Sequence, residues 1–489
     1  MTRSIDFVRS PSGDGQRLPP TPMSAADVRT QRWMPSRFNV RTTMSDGRLV
    51  LWNTSSRSIN AFSAKHQEMI SRLLRPSGTT GNRSGLLGYL ADRGFLVPEG
   101  TDELRRMQWR FGAQHYRSDI LELILLASED CNFRCRYCYE HFTRGTMLPA
   151  VRQAIRRLID LRASTLRTLH IKWFGGEPLY GMDAIADLAP YFATIAERRG
   201  LTLVNHMTTN GYLLTPSVVA QLLSWRIDDF QITVDGTAEN HDAHRPTREG
   251  GPTFDVIFRN LCRLHERTDS FSVMIRVNFD RDNVNALEPF LKEAKAALGD
   301  DHRFTFGFFP VGRWGGGRDA ELPVCDRDES LEARTRLRRL ARSIGLPVAY
   351  PISASTGLGS NACYAARPYS FVIGATGLLM KCTVALDTKE HNVVGRLTPL
   401  GELELDEDKF ALWTEPAFER DAGCVTCTML PMCQGIHCPL ERIEQGRAPC
   451  PDLKRTAKRL LADHCTEKTG GGAVIAQEPT TNSSISSML

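Results

Sequence analysis

Apolar and polar positions along the chain form blocks with different periods, and these blocks predict several folded regions between two polar ends. Residues 36–115 begin with short alternating runs such as FNVRTTM and GRLVLWN, separated by turn residues, which predicts a β-meander. Two helices follow, and the second ends at Gly94. Strands followed by helices form a winged-helix-like order, and a generic α+β cap on the next domain remains an open alternative.

Residues 116–310 alternate between strand-like and helix-like patterns. The predicted strands are ILELILLA, LHIKWFGG, LTLVNHMTTNG, FQITVDG, FSVMIRVNF and RFTFGFFP. Helical periods separate successive strands, and such alternation implies a parallel sheet that is either barrel-like or doubly wound. Six units fit a partial (β/α)6 barrel better than a complete eight-unit barrel. The predicted fold class is therefore α/β.

The remaining segments are distinguished by composition. Residues 311–355 are predicted to be a linker that includes an arginine-rich helix, and residues 356–465 a cysteine-rich module with little regular periodicity. Residues 1–35 and 466–489 are polar and aperiodic, which predicts a disordered arm and a disordered tail.

Charge and hydropathy exclude some functions for this chain of 489 residues. The net charge of +5 is far from the basic stripe of a nucleic-acid-binding protein. No apolar run approaches the roughly 20 residues of a membrane span. The first residues contain no apolar signal segment. We therefore expect a cytoplasmic protein with neither a nucleic acid nor a membrane as partner.

The thirteen cysteines are unevenly placed. None precedes Cys131, three fall within eight residues, and eight follow residue 360. Clustered thiols in a reducing compartment indicate metal or redox chemistry rather than disulfides. The isolated Cys262, Cys325 and Cys465 are assigned to no site.

The first cluster is Cys131-x3-Cys135-x2-Cys138, directly after the first strand of the βα region. Binding sites of parallel α/β folds form at the carboxyl ends of strands. Three thiolates can hold three irons of a [4Fe–4S] cluster and leave the fourth iron open. The alternative is a zinc knuckle, which normally needs a fourth ligand, and His141 is the nearest candidate.

This spacing, with Tyr137 before the last cysteine, resembles the radical S-adenosylmethionine (radical SAM) superfamily. Gly175-Gly176-Glu177-Pro178 closes the second strand and is similar to the GGEP motif of that family. The resemblance implies that this segment receives the methionine amino group of S-adenosylmethionine.

Further motifs of the same family follow in order along the chain. Thr208-Thr209-Asn210-Gly211 resembles its TNG turn, Ile232–Gly236 its S-x-D-G strand with Thr233 for Ser, and His241–Arg245 a motif of many peptide-modifying members. The resemblance implies cofactor-binding roles for Tyr137, Gly175, Gly176, Glu177, Pro178, Thr209, Asn210, Thr233, Asp235, Arg245, Arg276 and Asn278.

The resemblance also implies reductive cleavage of S-adenosylmethionine to a 5′-deoxyadenosyl radical, which abstracts a hydrogen atom from the substrate. Such an enzyme needs an electron donor, for example a flavodoxin or a ferredoxin. The sequence singles out no general base.

The second group of cysteines is Cys363-x13-Gly377-x4-Cys382, then Cys424-x2-Cys427-x5-Cys433-x4-Cys438, then Cys450. It resembles the SPASM extension, which carries two auxiliary [4Fe–4S] clusters, although the family has three residues where Cys433-x4-Cys438 has four. The resemblance assigns Cys363, Cys382 and Cys438 to one cluster and Cys424, Cys427, Cys433 and Cys450 to the other. With three thiolates, the former is expected to have an open iron. A pair of zinc ribbons is the alternative for this module.

Together these features favour a peptide maturase. SPASM modules accompany radical enzymes that act on ribosomally made peptides, and residues 36–115 loosely resemble the element that binds leader peptides, by β-augmentation. The expected reaction is hydrogen abstraction followed by a modification, most simply a cross-link. The alternatives are an oxidase similar to anaerobic sulfatase maturases, which makes formylglycine, and a zinc-dependent winged-helix regulator.

Overall fold

The computed structural model describes residues 30–142, 144–348, 362–386, 389–416, 418 and 421–469. Most of the predicted arm and tail, and part of the predicted linker, lie outside these residues. The chain divides into two compact units, one of residues up to Glu103 with those from Ala462 onward, the other Leu104–Leu461. No helix in the described ranges is long and apolar enough to cross a membrane.

The first unit is built on two three-stranded antiparallel sheets. Its elements are strands β1 (Gln31–Pro35), β2 (Asn39–Thr43), β3 (Leu49–Asn53) and β4 (Ile59–Phe62), helix α1 (Gln67–Leu73), strand β5 (Thr79–Gly81), helix α2 (Gly85–Asp92) and strand β6 (Leu96–Pro98). The sheets have the orders β5-β1-β6 and β2-β3-β4. The second sheet confirms the predicted meander, whereas the winged-helix interpretation stays a prediction.

Strand β1 corrects the predicted boundary of the arm at residue 35. It pairs with β5 on one side and with β6 on the other. The pattern missed it because QRWMP offers only two apolar residues, and only Trp33 and Met34 mark its position. Trp33 is buried, and its Nε1 donates a hydrogen bond to the carbonyl of Gly81 at 3.1 Å.

The second unit begins with helix α3 (Glu103–His115), whose first residue belongs to the first unit, and continues as a βα alternation. Its elements are β7 (Ile120–Ser128), α4 (Pro149–Arg162), β8 (Thr168–Gly175), α5 (Met182–Arg199), β9 (Thr202–Thr209), α6 (Pro216–Ser224), β10 (Asp229–Thr233), α7 (Ala238–His244), α8 (Phe254–His265), β11 (Ser272–Phe279), α9 (Leu287–Leu298) and β12 (Phe304–Pro310). All six predicted strands are present.

These six strands are parallel and adjacent in chain order, from β7 to β12. The predicted parallel sheet is therefore confirmed. In the described chain β12 ends the sheet, and the other neighbour of β7 is a later strand, so the six strands do not close into a ring. Apolar side chains of the strands and of the covering helices form one continuous buried core.

The cysteine-rich module continues the same sheet. Its elements, after α10 (Arg327–Ser343), are β13 (Ser370–Ile373), β14 (Leu378–Met380), β15 (Val393–Leu397), β16 (Leu403–Leu405), α11 (Glu407–Thr414), α12 (Ala422–Val425), α13 (Leu430–Cys433), α14 (Pro439–Gln445) and α15 (Asp452–Thr469). Strand β13 pairs with β7 in parallel, and β14, β15 and β16 follow antiparallel. Strands of three to five residues are too short to show a clear alternation of apolar and polar residues in the sequence.

Candidate active site

The predicted motifs gather along one edge of the sheet. The cysteine loop follows β7, the GGEP segment closes β8, the TNG turn closes β9, and Asp235 follows β10. Because the strands are parallel and adjacent, their carboxyl ends meet at the same edge. The topology therefore brings together motifs that are far apart in the sequence.

Cys131, Cys135 and Cys138 lie in the loop that follows β7 at this edge. Cys131 is buried and the other two are half-buried. Burial raises the pKa of Cys131 to about 12, and the nearby carboxylate of Glu177 adds to the effect. Burial likewise raises the pKa of Cys138, as does the charge of Cys135. Neighbouring thiols with raised pKa values lose their protons when a metal cation coordinates them, which fits an iron–sulfur cluster.

The cysteine loop is held in place by the segment that follows α7. The backbone N–H of Arg134 donates to the carbonyl of Pro246 at 3.0 Å, and that of Arg248 donates to the carbonyl of Asn132 at 2.7 Å. The Arg248 guanidinium also donates to the carbonyl of Cys131 at 2.8 Å. Neither Arg248 nor Asn132 lies in a recognisable motif, so the sequence does not mark them as part of the site.

The two glycines of the GGEP segment allow the strand end to approach the cysteine loop. A Cβ at Gly176 would lie 2.5 Å from the carbonyl oxygen of Asp130 and 3.1 Å from Cβ of Cys131. Gly175 has a φ of +131°, and a Cβ there would lie 2.0 Å from the carbonyl oxygen of Ser128. Only glycine fits either position without moving the loop.

Glu177 is a fully buried carboxylate beside this loop. Its Oε1 accepts hydrogen bonds from Oγ1 of Thr209 at 2.7 Å and from the backbone N–H of Leu179 at 3.1 Å, and its Oε2 accepts one from the N–H of Asn210 at 2.7 Å. Burial nevertheless raises the pKa of Glu177. A carboxylate has about four lone-pair sites, so Glu177 retains room for one further donor. An ammonium group is suited to it, since its charge would stabilise the anion.

Tyr137 is the centre of a second hydrogen-bond network. Its hydroxyl donates to Oδ2 of Asp235 and accepts from Arg245 at 2.8 Å and from Nδ2 of Asn278 at 2.9 Å. Burial raises the pKa of Tyr137 well above its ordinary range, so the hydroxyl keeps its proton. Burial opposes the charge of Arg245, but Tyr137, Cys135 and Asp235 outweigh it and raise the pKa of Arg245.

The other predicted residues lie around this network. Nε of Arg276 donates to Oδ1 of Asn278 at 2.9 Å, and its guanidinium lies 4.1 Å from the centre of the Phe309 ring. Thr233 is buried at the end of β10, paired with Arg276 in the sheet. Pro178 begins a short 3₁₀ turn after Glu177. The structure thus brings the predicted cofactor residues to one edge; their roles toward a cofactor remain predictions.

Two residues that sequence analysis did not assign to the site also support Asp235. The backbone N–H of Asp235 donates to Nδ1 of His241 at 3.1 Å, and Nδ2 of Asn283 donates to the carbonyl of Asp235 at 3.0 Å. His241 is fully buried, and burial lowers its pKa well below 6.5. The H-D-x-H-R motif contains the signal for His241, whereas no motif marks Asn283.

Cys363, Cys382 and Cys438 come together in the cysteine-rich module. Cys363 precedes a 3₁₀ turn, Cys382 follows β14, and Cys438 caps α14. Burial raises the pKa of Cys363 to about 12, and the charges of Cys382 and Cys438 add to it.

Cys424, Cys427, Cys433 and Cys450 line one cavity. Asp421 and Lys454 are its charged lining residues, and the rest of the lining is apolar or glycine. Cys433 is buried and Cys450 is exposed, so this site reaches the protein surface. A cavity lined by four thiols and little else that is polar fits a [4Fe–4S] cluster.

No group of three or more His, Cys, Asp and Glu side chains within the described ranges is arranged to hold a single metal ion. In a [4Fe–4S] cluster each cysteine binds a different iron, so its ligands need not converge on one point. The three groups of cysteines are compatible with clusters of that kind.

Comparisons with known proteins agree with this geometry. Residues 125–294 match the model of the Radical SAM superfamily. The serine-type anaerobic sulfatase-maturating enzyme of Klebsiella pneumoniae is 26% identical over 346 residues, which cover 63% of this chain and 79% of that enzyme. The radical SAM cyclopropyl synthase TigE of Paramaledivibacter caminithermalis is 24% identical over 218 residues, covering 39% and 44% of the two chains.

Among solved structures, native anSMEcpe with bound AdoMet and Cp18Cys peptide has a TM-score of 0.52 at 16% identity, covering 71% of this chain and 97% of that chain. At this identity the likeness concerns the fold. Residues 125–294, which match the family model, contain the cysteine loop and the GGEP, TNG and Asp235 segments described above. A domain of that superfamily implies S-adenosylmethionine and a [4Fe–4S] cluster. Residues 125–294 are therefore a Radical SAM domain, and the protein is an enzyme.

Proposed function

We propose that this enzyme is a peptide maturase that modifies a ribosomally made precursor peptide, most simply by forming a cross-link. The observation that carries the proposal is that Glu177 and the Tyr137 network meet beside the loop of Cys131, Cys135 and Cys138. The sulfatase-maturating relative and the peptide-bound structure of anSMEcpe support a peptide or protein as substrate.

The side chains of this edge have separate tasks in the proposed reaction. Glu177 accepts the amino group of S-adenosylmethionine with its free lone pair, and Asn210 holds that carboxylate in place. Tyr137 and Asp235 fix the end of the cysteine loop. A [4Fe–4S] cluster and S-adenosylmethionine, when bound, would supply the 5′-deoxyadenosyl radical. The protein orients these two groups and the substrate, and it excludes water.

The two further cysteine groups are proposed to hold auxiliary clusters. The group of Cys363, Cys382 and Cys438 offers three thiolates, so its fourth iron can take a substrate group or a non-cysteine ligand. The other group offers four thiolates and reaches the surface. An external electron donor of the flavodoxin or ferredoxin class completes the proposed system.

Anaerobic purification tests the cofactor assignment. We expect a brown protein with about twelve irons per chain, at four per cluster. Colourless protein that contains zinc would instead support the zinc-dependent regulator.

Replacing Cys131, Cys135 and Cys138 together with Ala should abolish formation of 5′-deoxyadenosine from S-adenosylmethionine, measured by chromatography under a strong reductant. Cys262→Ala is the matched control, because Cys262 lies on α8 and belongs to none of the three groups. Continued 5′-deoxyadenosine formation by the triple variant would refute the role of the loop.

The first unit is proposed to recognise the leader of the precursor. Strands β2 and β4 are the edges of one sheet and β5 and β6 the edges of the other, and an edge strand presents unpaired backbone groups to an added strand. The test is hydrogen–deuterium exchange of the enzyme's backbone amides, with and without a synthetic precursor peptide whose sequence is encoded next to the gene of this enzyme. Slower exchange in one edge strand supports the proposal, and unchanged exchange in all four contradicts it.

Formylglycine formation is the second candidate, favoured by the Klebsiella relative. Its test is a sulfatase peptide that contains the target Ser or Cys. Oxidation of the Ser side chain to an aldehyde, seen as the loss of two hydrogens by mass spectrometry, would replace the first proposal. The three-cysteine group argues against it, because SPASM enzymes with a fourth thiolate at this cluster carry an extra cysteine just upstream of the Cys363 position, where this sequence has none.

A further inference from the structure

Lys454 lies directly beside the sulfur atoms of the four-cysteine group. It is on the first turn of α15, one helical turn after Cys450. Its Nζ donates to Sγ of Cys450 at 3.5 Å, and both residues line the cavity that also contains Cys424, Cys427 and Cys433. One cation thus lies against the sulfurs that line this cavity.

Two arginines engage the carboxylate that lies next to Lys454 on the same helix. Arg327, at the start of α10, donates to the carbonyl of Cys450 at 2.9 Å and forms an ion pair with Asp452 at 3.2 Å. Arg334 contacts the same Asp452 at 3.5 Å. The carboxylate nearest to Lys454 along the helix is therefore occupied by two arginines, and the lysine is directed to the sulfurs.

The three-cysteine group has different neighbours. There the cation next to the cysteines is Lys381, but its Nζ donates to the carbonyls of Arg367 and Ser370, both at 2.6 Å. The hydrogen bonds to Sγ of Cys382 come from neutral groups, the hydroxyl of Tyr364 among them. Only the four-cysteine group receives a cationic hydrogen bond on sulfur within the described residues.

We propose that Lys454 is a positioning residue that raises the reduction potential of the cluster held by Cys424, Cys427, Cys433 and Cys450. Reduction adds negative charge to the cluster, and a cation hydrogen-bonded to its sulfurs stabilises that charge. The site that reaches the surface is thereby the better electron acceptor. This inference rests on the proposed function, because it takes these four cysteines as cluster ligands.

The experiment is a potentiometric titration of the anaerobically purified holoenzyme, followed by electron paramagnetic resonance. The signal of this cluster is the one that Cys450→Ser removes or alters. Lys454→Met keeps the length of the side chain and removes the charge and the donor. At the wild-type midpoint we expect the ratio of reduced to oxidised cluster to fall at least tenfold, which corresponds to about 59 mV for one electron.

Two control variants show whether the effect depends on a charged donor at this position. Lys454→Arg keeps both donor and charge and should stay within threefold of wild type. Lys458→Met removes an exposed lysine one turn further along α15, which has no hydrogen bond to sulfur in the described structure, and it should also stay within threefold. Lys454→Met within threefold of wild type, or an equal effect of Lys458→Met, would overturn the inference.

Failure of the proposed function would look different. Wild-type protein with no cluster signal that depends on Cys450 would remove the cluster assignment and this inference together. Three intact clusters with an unchanged potential in Lys454→Met would remove this inference alone.

Discussion

Tyr137→Phe removes one hydroxyl on which three buried side chains converge. The hydroxyl donates to Asp235 and accepts from Arg245 and Asn278. The ring remains, so packing is preserved and only the hydrogen bonds are lost. The variant thus measures what this network contributes to the stability of the sheet edge.

The expected loss follows from the partners. A hydrogen bond to a charged group contributes about 1.5–3 kcal/mol, and a neutral one about 0.5–1.5 kcal/mol. Asp235 and Arg245 account for two of the first kind and Asn278 for one of the second. Without the hydroxyl, Arg245 and Asp235 can approach each other and recover part of the loss. We therefore expect the free energy of unfolding to fall by about 3 kcal/mol, below the roughly 3.5–7.5 kcal/mol of simple addition.

The assay is urea denaturation of the protein purified without clusters, followed by tryptophan fluorescence at an unchanged denaturant slope. Tyr139→Phe is the control, because Tyr139 lies in the same loop and its hydroxyl has no hydrogen bond to another described residue. That control should change the free energy of unfolding by less than about 1 kcal/mol. A loss of under about 1 kcal/mol for Tyr137→Phe would refute the network as a stabilising unit.

Three further substitutions probe the same edge. Glu177→Gln should raise the dissociation constant for S-adenosylmethionine about 10- to 150-fold in equilibrium dialysis, because a charged hydrogen bond of about 1.5–3 kcal/mol is lost; an unchanged constant would exclude Glu177 as the amine acceptor. Gly176→Ala should lower the iron content by about four of twelve, since its Cβ displaces the carbonyl of Asp130; full iron content would contradict this. Burial lowers the pKa of His241 well below its ordinary 6.5. As the pH is lowered below about 6.5, His241 is protonated in the unfolded chain before it is protonated in the folded one, so the free energy of unfolding decreases. His241→Gln should remove this part of the decline in urea midpoints, and an identical pH profile would argue against it.

The sequence predicted the βα unit well because two signals agreed there. Apolar strands alternate with amphipathic helices, and glycine-containing motifs mark the strand ends. Gly175, Gly176 and Gly211 stand where a side chain has no room or where φ is positive, so their identity reports the local backbone directly. The cysteine loop could also be recognised from the sequence, because the spacing of its three cysteines is itself the signal.

Other parts could not be read from the sequence because they depend on distant partners. Strands β13 to β16 are short, and they exist because β13 pairs with β7 across some 250 intervening residues. Strand β1 is similar, since it is defined by its neighbours on both sides. Arg248 and Asn283 make contacts between loops that no sequence pattern predicts. The position of Lys454 could be interpreted only after the structure placed it beside Cys450.

The Tyr137 network also explains why motifs that are weak alone have meaning together. Tyr137 comes from the loop after β7, Asp235 from the end of β10, Arg245 from the end of α7, and Asn278 from β11. Each partner is buried and polar, so the loss of one leaves a donor or acceptor of another unpaired, at a cost of about 1–3 kcal/mol. The strand ends therefore constrain one another through the cysteine loop. A chain that kept the cysteines but lost Asp235 would retain the ligands without the geometry that orients them, and it should bind iron at this loop less stably than the intact chain.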